Sequence, residues 1–68
     1  MEIVFSVTQE SDEGFVAECL SHDIFTQGNT WEELRRNAQE AVAGYFFDRT
    51  KPTAIRLHLV RDEVVSCA

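Results

Sequence analysis

The sequence predicts a small α+β domain in two layers, β-β-β-α-β, with one helix packed on one face of a four-stranded sheet. Three observations lead there. Residues 2–9 and 54–60 alternate apolar and polar side chains, the period of a strand with one buried face. Residues 31–48 instead place Trp31, Leu34, Ala38, Ala41, Val42, Tyr45 and Phe46 at helical spacing. Between them, turn-forming residues set off two shorter apolar runs, 15–20 and 24–27.

In the first strand Ile3, Phe5 and Val7 point one way, and Val4 shares the other face with Ser6 and Thr8. Residues 10–14 form a polar turn ending in Gly14, which tolerates positive φ freely. The second strand follows antiparallel, with Phe15, Ala17 and Cys19 on one face. Ser21-His22-Asp23 is a tight link to a short third strand, 24–27, which stops at Gly28. Thr30 then serves as helix N-cap, and Glu33 three residues later completes a capping-box pattern. Glu32 and Glu33 suit the positive end of the helix dipole, and Glu32 lies one turn from Arg36. Gly44 within the helix marks either a close approach to the sheet or the onset of fraying. Residues 48–53 end the helix: Pro52 excludes helical geometry at Lys51, and Arg49 complements the negative helix end.

In the fourth strand Ile55, Leu57 and Leu59 face inward, with Arg56 and His58 outward. A right-handed crossover puts this strand parallel to the first, giving the order 3-2-1-4 with the helix over Ile3, Phe5, Val7, Ile55, Leu57 and Leu59. The other sheet face keeps Val4, Val16, Leu20 and either Ile24 or Phe25. That face is apolar enough to predict a covering partner or an oligomer interface through Val4, Val16 and Leu20. The domain is expected to span 1–61, with 62–68 a tail or strand extension.

At 68 residues the chain is one domain near the lower size limit for independent folding, so self-association is expected. Hydrophobic (44%) and charged (26%) shares are those of a globular chain. No apolar run reaches the roughly 18 residues of a membrane span. The first residues also lack a signal-peptide pattern, so the expected location is cytoplasmic. Cys19 and Cys67 without a secretion signal read as two reduced thiols.

The net charge of −6 argues against nonspecific nucleic-acid binding. Its distribution is uneven: residues 1–33 carry eight acids and no base, and all six bases lie between Arg35 and Arg61. An acidic surface could steer a basic partner, or be a solvated face with no task. Trp31 is either an edge-of-core residue or an aromatic anchor for a partner.

No chemistry-bearing constellation emerges. His22, His58, Cys19 and Cys67 lack the paired spacings of a zinc site, so no metal is expected. His22-Asp23 reads as turn chemistry more readily than as an acid–base pair. Cys19 is inward, Cys67 lies next to the C-terminus, and neither has an evident base. Gly14 and Gly28 show no phosphate-cradling pattern, so no cofactor is expected. The residues point to a non-enzymatic domain.

Asp12-Glu13-Gly14-Phe15-Val16-Ala17-Glu18-Cys19, followed by Thr26-Gln27-Gly28-Asn29-Thr30-Trp31-Glu32-Glu33-Leu34 and Asn37-Ala38-Gln39-Glu40-Ala41, resembles the HicB antitoxin family over residues 3–47. The strand-to-helix junction is the specific part of the match. Leu20 stands where the family has proline, and Leu34 where alanine is usual. The resemblance implies a partly truncated RNase H-like fold without RNase H activity. It also implies an antitoxin role, with a small basic HicA-type mRNA-cleaving toxin as partner. The DNA-binding segment found in many HicB proteins has no counterpart in these residues, so direct DNA binding is not expected. On this reading Asp12, Glu13, Glu18, Asp23, Trp31 and Glu32 meet the toxin. The alternative is a homo-oligomeric HicB-like domain with no toxin partner.

Overall fold

The computed structural model describes residues 1–10 and 14–67. The chain forms β1 (Glu2–Gln9), β2 (Phe15–Cys19), β3 (Phe25–Gly28), α1 (Trp31–Tyr45) and β4 (Ala54–Val60). They build one mixed sheet in the order β3-β2-β1-β4. β1 pairs antiparallel with β2 and parallel with β4, and β2 pairs antiparallel with β3. This is the expected α+β architecture. β1 is central because it alone pairs with both the meander and the crossover strand, and its inward residues Ile3, Phe5 and Val7 are buried.

Around them the core gathers Ala17 and Cys19 from β2, Ile24, and Leu34, Ala38, Val42 and Phe46 from the helical segment. Cys19 is buried, Cys67 is exposed, and both thiols are free. The sheet has two ends. β1 and β4 finish at the end where α1 begins, while the turn between β2 and β3 lies where α1 finishes, with His22 edge-on to Tyr45 and Phe46 at 5.6 and 5.1 Å.

Several details differ from the sequence reading. α1 ends at Tyr45 rather than near Asp48: Phe46 leaves helical geometry (φ −103°, ψ 20°), its amide still donating to the Val42 carbonyl, and its ring is buried. Arg49 is therefore not in a last helical turn; it lies over the Tyr45 ring at 5.4 Å and 3.6 Å from Asp48. β3 runs one residue later than expected, because the Ile24 amide is taken by the His22 carbonyl in closing the turn. Ile24 goes into the core and Phe25 to the uncovered face. Among the described residues a Cβ on Gly44 would meet nothing within 4 Å, which removes close packing as the reason for that glycine. Among the described residues Glu32 and Arg36 make no ion pair.

The largest difference concerns the helix. It packs closest to β3 and β2 and covers β4 only in part, with Ile55 and Leu57 packed against the edge of the core. Ile55 and Leu57 are only half-buried, and Leu59 is 42% exposed. The cause is the short link: β3 ends at Gly28 and α1 starts at Trp31, so the helix is tethered to the β3 edge.

β4 is held to β1 at its start. The Thr53 amide donates to the Met1 carbonyl at 2.8 Å, and Arg56 donates to both carboxylate oxygens of Glu2 at 2.9 and 3.2 Å. The hydrogen bond from Arg56 holds the Glu2 carboxyl below its ordinary value of 4.5. A lowered folded-state pKa contributes stability above the unfolded value that fades as pH falls through the folded one. The pair is solvent-exposed, so the effect is small. Glu2→Gln should flatten the decline of the urea midpoint below pH 4.5, leaving Glu2→Gln and wild type closest at the acid end of the titration. A parallel decline in both proteins would show that the pair contributes nothing.

Candidate functional site

At the end where α1 begins, local chemistry builds a rigid junction. Thr30 is extended (φ −128°, ψ 163°), and its hydroxyl accepts from the Glu33 amide at 3.1 Å. The Glu33 carboxylate reaches back to accept from the Asn29 amide, also at 3.1 Å. This is the expected capping box, closed one residue before the cap. Asn37 donates from Nδ2 to the Gln27 carbonyl at 2.8 Å, tying the second helical turn to β3. Gly28 lies directly against the helix: a Cβ there would sit 2.5 Å from the Leu34 nitrogen.

Beside this junction is an open groove of about 430 Å³, walled by Glu10, Phe15, Gln27, Asn29, Glu33 and Asn37, with Gly14, Val16 and Gly28 completing it. Among the described residues its lining holds two carboxylates and three carboxamides, and no lysine or arginine. Trp31 stands at the rim, edge-on to Phe15 at 5.5 Å and 37% exposed. Trp31 thus sits at the core edge against Phe15 with part of its ring left to solvent. The arrangement suits a cationic, hydrogen-bond-donating side chain with an aromatic surface to lie on.

The second surface is the sheet face away from α1. Strand register sets Phe25, Glu18, Ser6 and His58 in one row, and Gln27, Val16, Thr8 and Val60 in the next. Leu20 lies beside Val4, its amide donating to the Val4 carbonyl at 3.0 Å. Val4 and Val16 are half-buried, whereas Leu20 and Phe25 are 68% and 61% exposed. A shallow depression of about 190 Å³ separates Phe25 from Ser6 and Thr8.

The six residues expected to meet a partner do not share one surface. Trp31 and Glu32 stand together in the first turn of α1. Glu18 is exposed on the uncovered sheet face. Asp23 is exposed in the turn at the opposite end, about 22 Å away for a helix of this length. Asp12 and Glu13 lie outside the described residues. Glu10 and Glu33 were not among the residues expected to meet a partner, and Phe25 was left as an alternative to Ile24 on the uncovered face. The signal for Phe25 was available, since strand parity places it opposite Glu18. The signal for Glu33 was hidden by its evident role as a cap.

His22 is half-buried, and its Nδ1 lies 2.7 Å from the Ser21 hydroxyl, which is 3.7 Å from the Cys19 sulfur. These contacts seat the β2–β3 turn on the end of α1. No group of three or more His, Cys, Asp or Glu among the described residues could hold a metal ion. No helix of the described residues is long and apolar enough to cross a membrane.

No family model and no solved structure matches the chain. Two curated relatives do, both named UPF0150 protein. One, from Archaeoglobus fulgidus, is 37% identical over 49 residues, covering 72% of this chain and 74% of the relative. The other, from Thermotoga maritima, is 35% identical over 65 residues, covering 96% of this chain and 91% of the relative. That span takes in every strand and the helix, and on it the chain belongs to the UPF0150 family.

Proposed function

We propose that this chain is a HicB-like, non-enzymatic protein-binding domain that neutralises a small basic mRNA-cleaving toxin of the HicA type. The observation that carries the reading is the groove at the helix start, where Glu10 and Glu33 face an opening free of basic side chains and Trp31 offers an aromatic rim. Glu32, next to Trp31, extends the negative surface. A basic partner would be steered to this end and anchored on the tryptophan. The motif match gives the partner class, since the same junction residues, Thr26 to Leu34, carry the HicB resemblance.

The test is co-expression with a small basic HicA-type protein, sought first among the genes beside this one. Growth rescue, a complex that dissociates as salt rises, and protection of RNA from cleavage are the expected results. Trp31→Ala should weaken the complex by about tenfold or more, the loss typical of an aromatic anchor. Absence of both rescue and complex at low salt would remove the antitoxin reading. A second reading, a homo-oligomer without a toxin, is favoured by the exposure of Leu20 and Phe25 on the uncovered face.

A further inference from the structure

We propose that two copies of this chain pair antiparallel through residues 59–65, about a twofold axis at Asp62, joining their sheets edge to edge. β4 is the long free edge of the sheet, seven residues against four in β3. It contains no proline or bulge to block a further strand. Residues 61–67 continue beyond it, exposed throughout, with Val64 98% and Val65 68% exposed. The radius of gyration is 13.8 Å, against about 11 Å for a compact domain of this length, and the longest dimension is 55 Å. The paired segment would thus join the last two residues of β4, Leu59 and Val60, to their exposed continuation 61–65.

What identifies the occupant is the sequence around Asp62: Leu59-Val60-Arg61-Asp62-Glu63-Val64-Val65. Folded back on itself about Asp62, it sets Leu59 against Val65, Val60 against Val64, and Arg61 against Glu63. A twofold interface requires this self-complementarity, since each contact occurs twice. Continued as a strand through the pairing, the alternation of β4 would set Arg61, Glu63 and Val65 on the same side as Leu59, so Val65 of the second copy would cover the exposed part of Leu59. One pair is unfavourable, Asp62 against its own copy. The alternative, stacking of the uncovered sheet faces, would present about 400 Å² per copy from four strands about 4.8 Å apart and roughly 20 Å long, half of what a standard interface buries. This pairing does not depend on the toxin reading and leaves the groove at the helix start open.

The experiment is sedimentation equilibrium of the full chain and four variants, all at exposed positions. Wild type should be a dimer. Arg61→Glu and Glu63→Arg should each weaken it about tenfold, because two attractive cross-strand pairs become repulsive. The double variant should recover the wild-type constant to within about threefold, and Asp62→Asn should tighten it. A monomer at every concentration, or a dimer indifferent to the single charge reversals, overturns the proposal. So does a double variant no better than either single. As a check on register, Asp62→Cys in a Cys67→Ser background should oxidise to a covalent dimer. Failure to cross-link would place the axis elsewhere and equally overturn it.

Discussion

Gly28→Ala should destabilise the domain by about 2–4 kcal/mol, an unusually large cost for adding one methyl group. The new Cβ would lie 2.5 Å from the Leu34 nitrogen, 2.8 Å from the Leu34 Cα and 3.0 Å from the Glu33 carbonyl carbon. All three are backbone atoms of the helix, so no side-chain rotation can relieve the overlap. The first turn of α1 must move as a unit, and it is held in place from several sides. The Leu34 amide donates to the Thr30 carbonyl at 2.9 Å, the Leu34 side chain is fully buried, and Asn37 is bonded to the Gln27 carbonyl. Displacing the turn loosens all of these together. A domain this small has roughly 3–5 kcal/mol of total stability from its core, so a large share of the variant should be unfolded at room temperature. Gly14→Ala is the matched control, because among the described residues its Cβ would meet only the Gly28 carbonyl oxygen, at an ordinary 3.7 Å. Urea midpoints measured side by side decide the matter. If Gly28→Ala and Gly14→Ala unfold together near wild type, the close approach of β3 and α1 is not what makes Gly28 necessary.

Gly28 also shows which parts of the fold the sequence made legible. A glycine before a helix cap reads locally as a turn residue, and the turn is there. That its missing side chain is what lets the helix lie on β3 depends on where the helix axis ends up, which no local pattern encodes. The alternation in β1 and β4, the Thr30–Glu33 box and the parallel crossover follow from short-range periodicity and chirality, and these came through. The reach of the helix across β4 was overestimated only at its end: Ile55 and Leu57 pack against the core, whereas Leu59 is left 42% exposed. Alternation shows that Ile55, Leu57 and Leu59 share a face, but not how far a helix tethered to the opposite edge can reach across it.

The candidate site divides in the same way. The eight acids of the first half follow one another in sequence with no base between them, but the meander sends alternate turns to opposite ends of the sheet. Asp23 is thereby carried away from Trp31 and Glu32, while Glu10, distant from them in sequence, lines the groove in the same end of the fold. Phe25 and Ile24 differ by one position in a run of period two, so a shift of one residue in the start of β3 decided which of them faces solvent.

Phe5→Ala should cost about 3–5 kcal/mol, enough to unfold most of the population. Phe5 is fully buried at the centre of β1, opposite Cys19 on one side and Leu57 on the other. Its neighbours come from three strands whose backbones are fixed by hydrogen bonds, so the space left by the ring cannot collapse. Phe25→Ala removes the same group from a position 61% exposed, and should change stability by no more than about 0.5 kcal/mol. The contrast separates two uses of one residue type. The unfolding midpoint should fall steeply for Phe5→Ala and barely move for Phe25→Ala. If Phe25→Ala proves as damaging as Phe5→Ala, the uncovered sheet face is already closed within the monomer, and the exposed aromatic is a part of the core. If it leaves the fold intact, the same variant becomes the clean probe of that face, because any loss of binding it causes belongs to the surface and not to the stability of the domain.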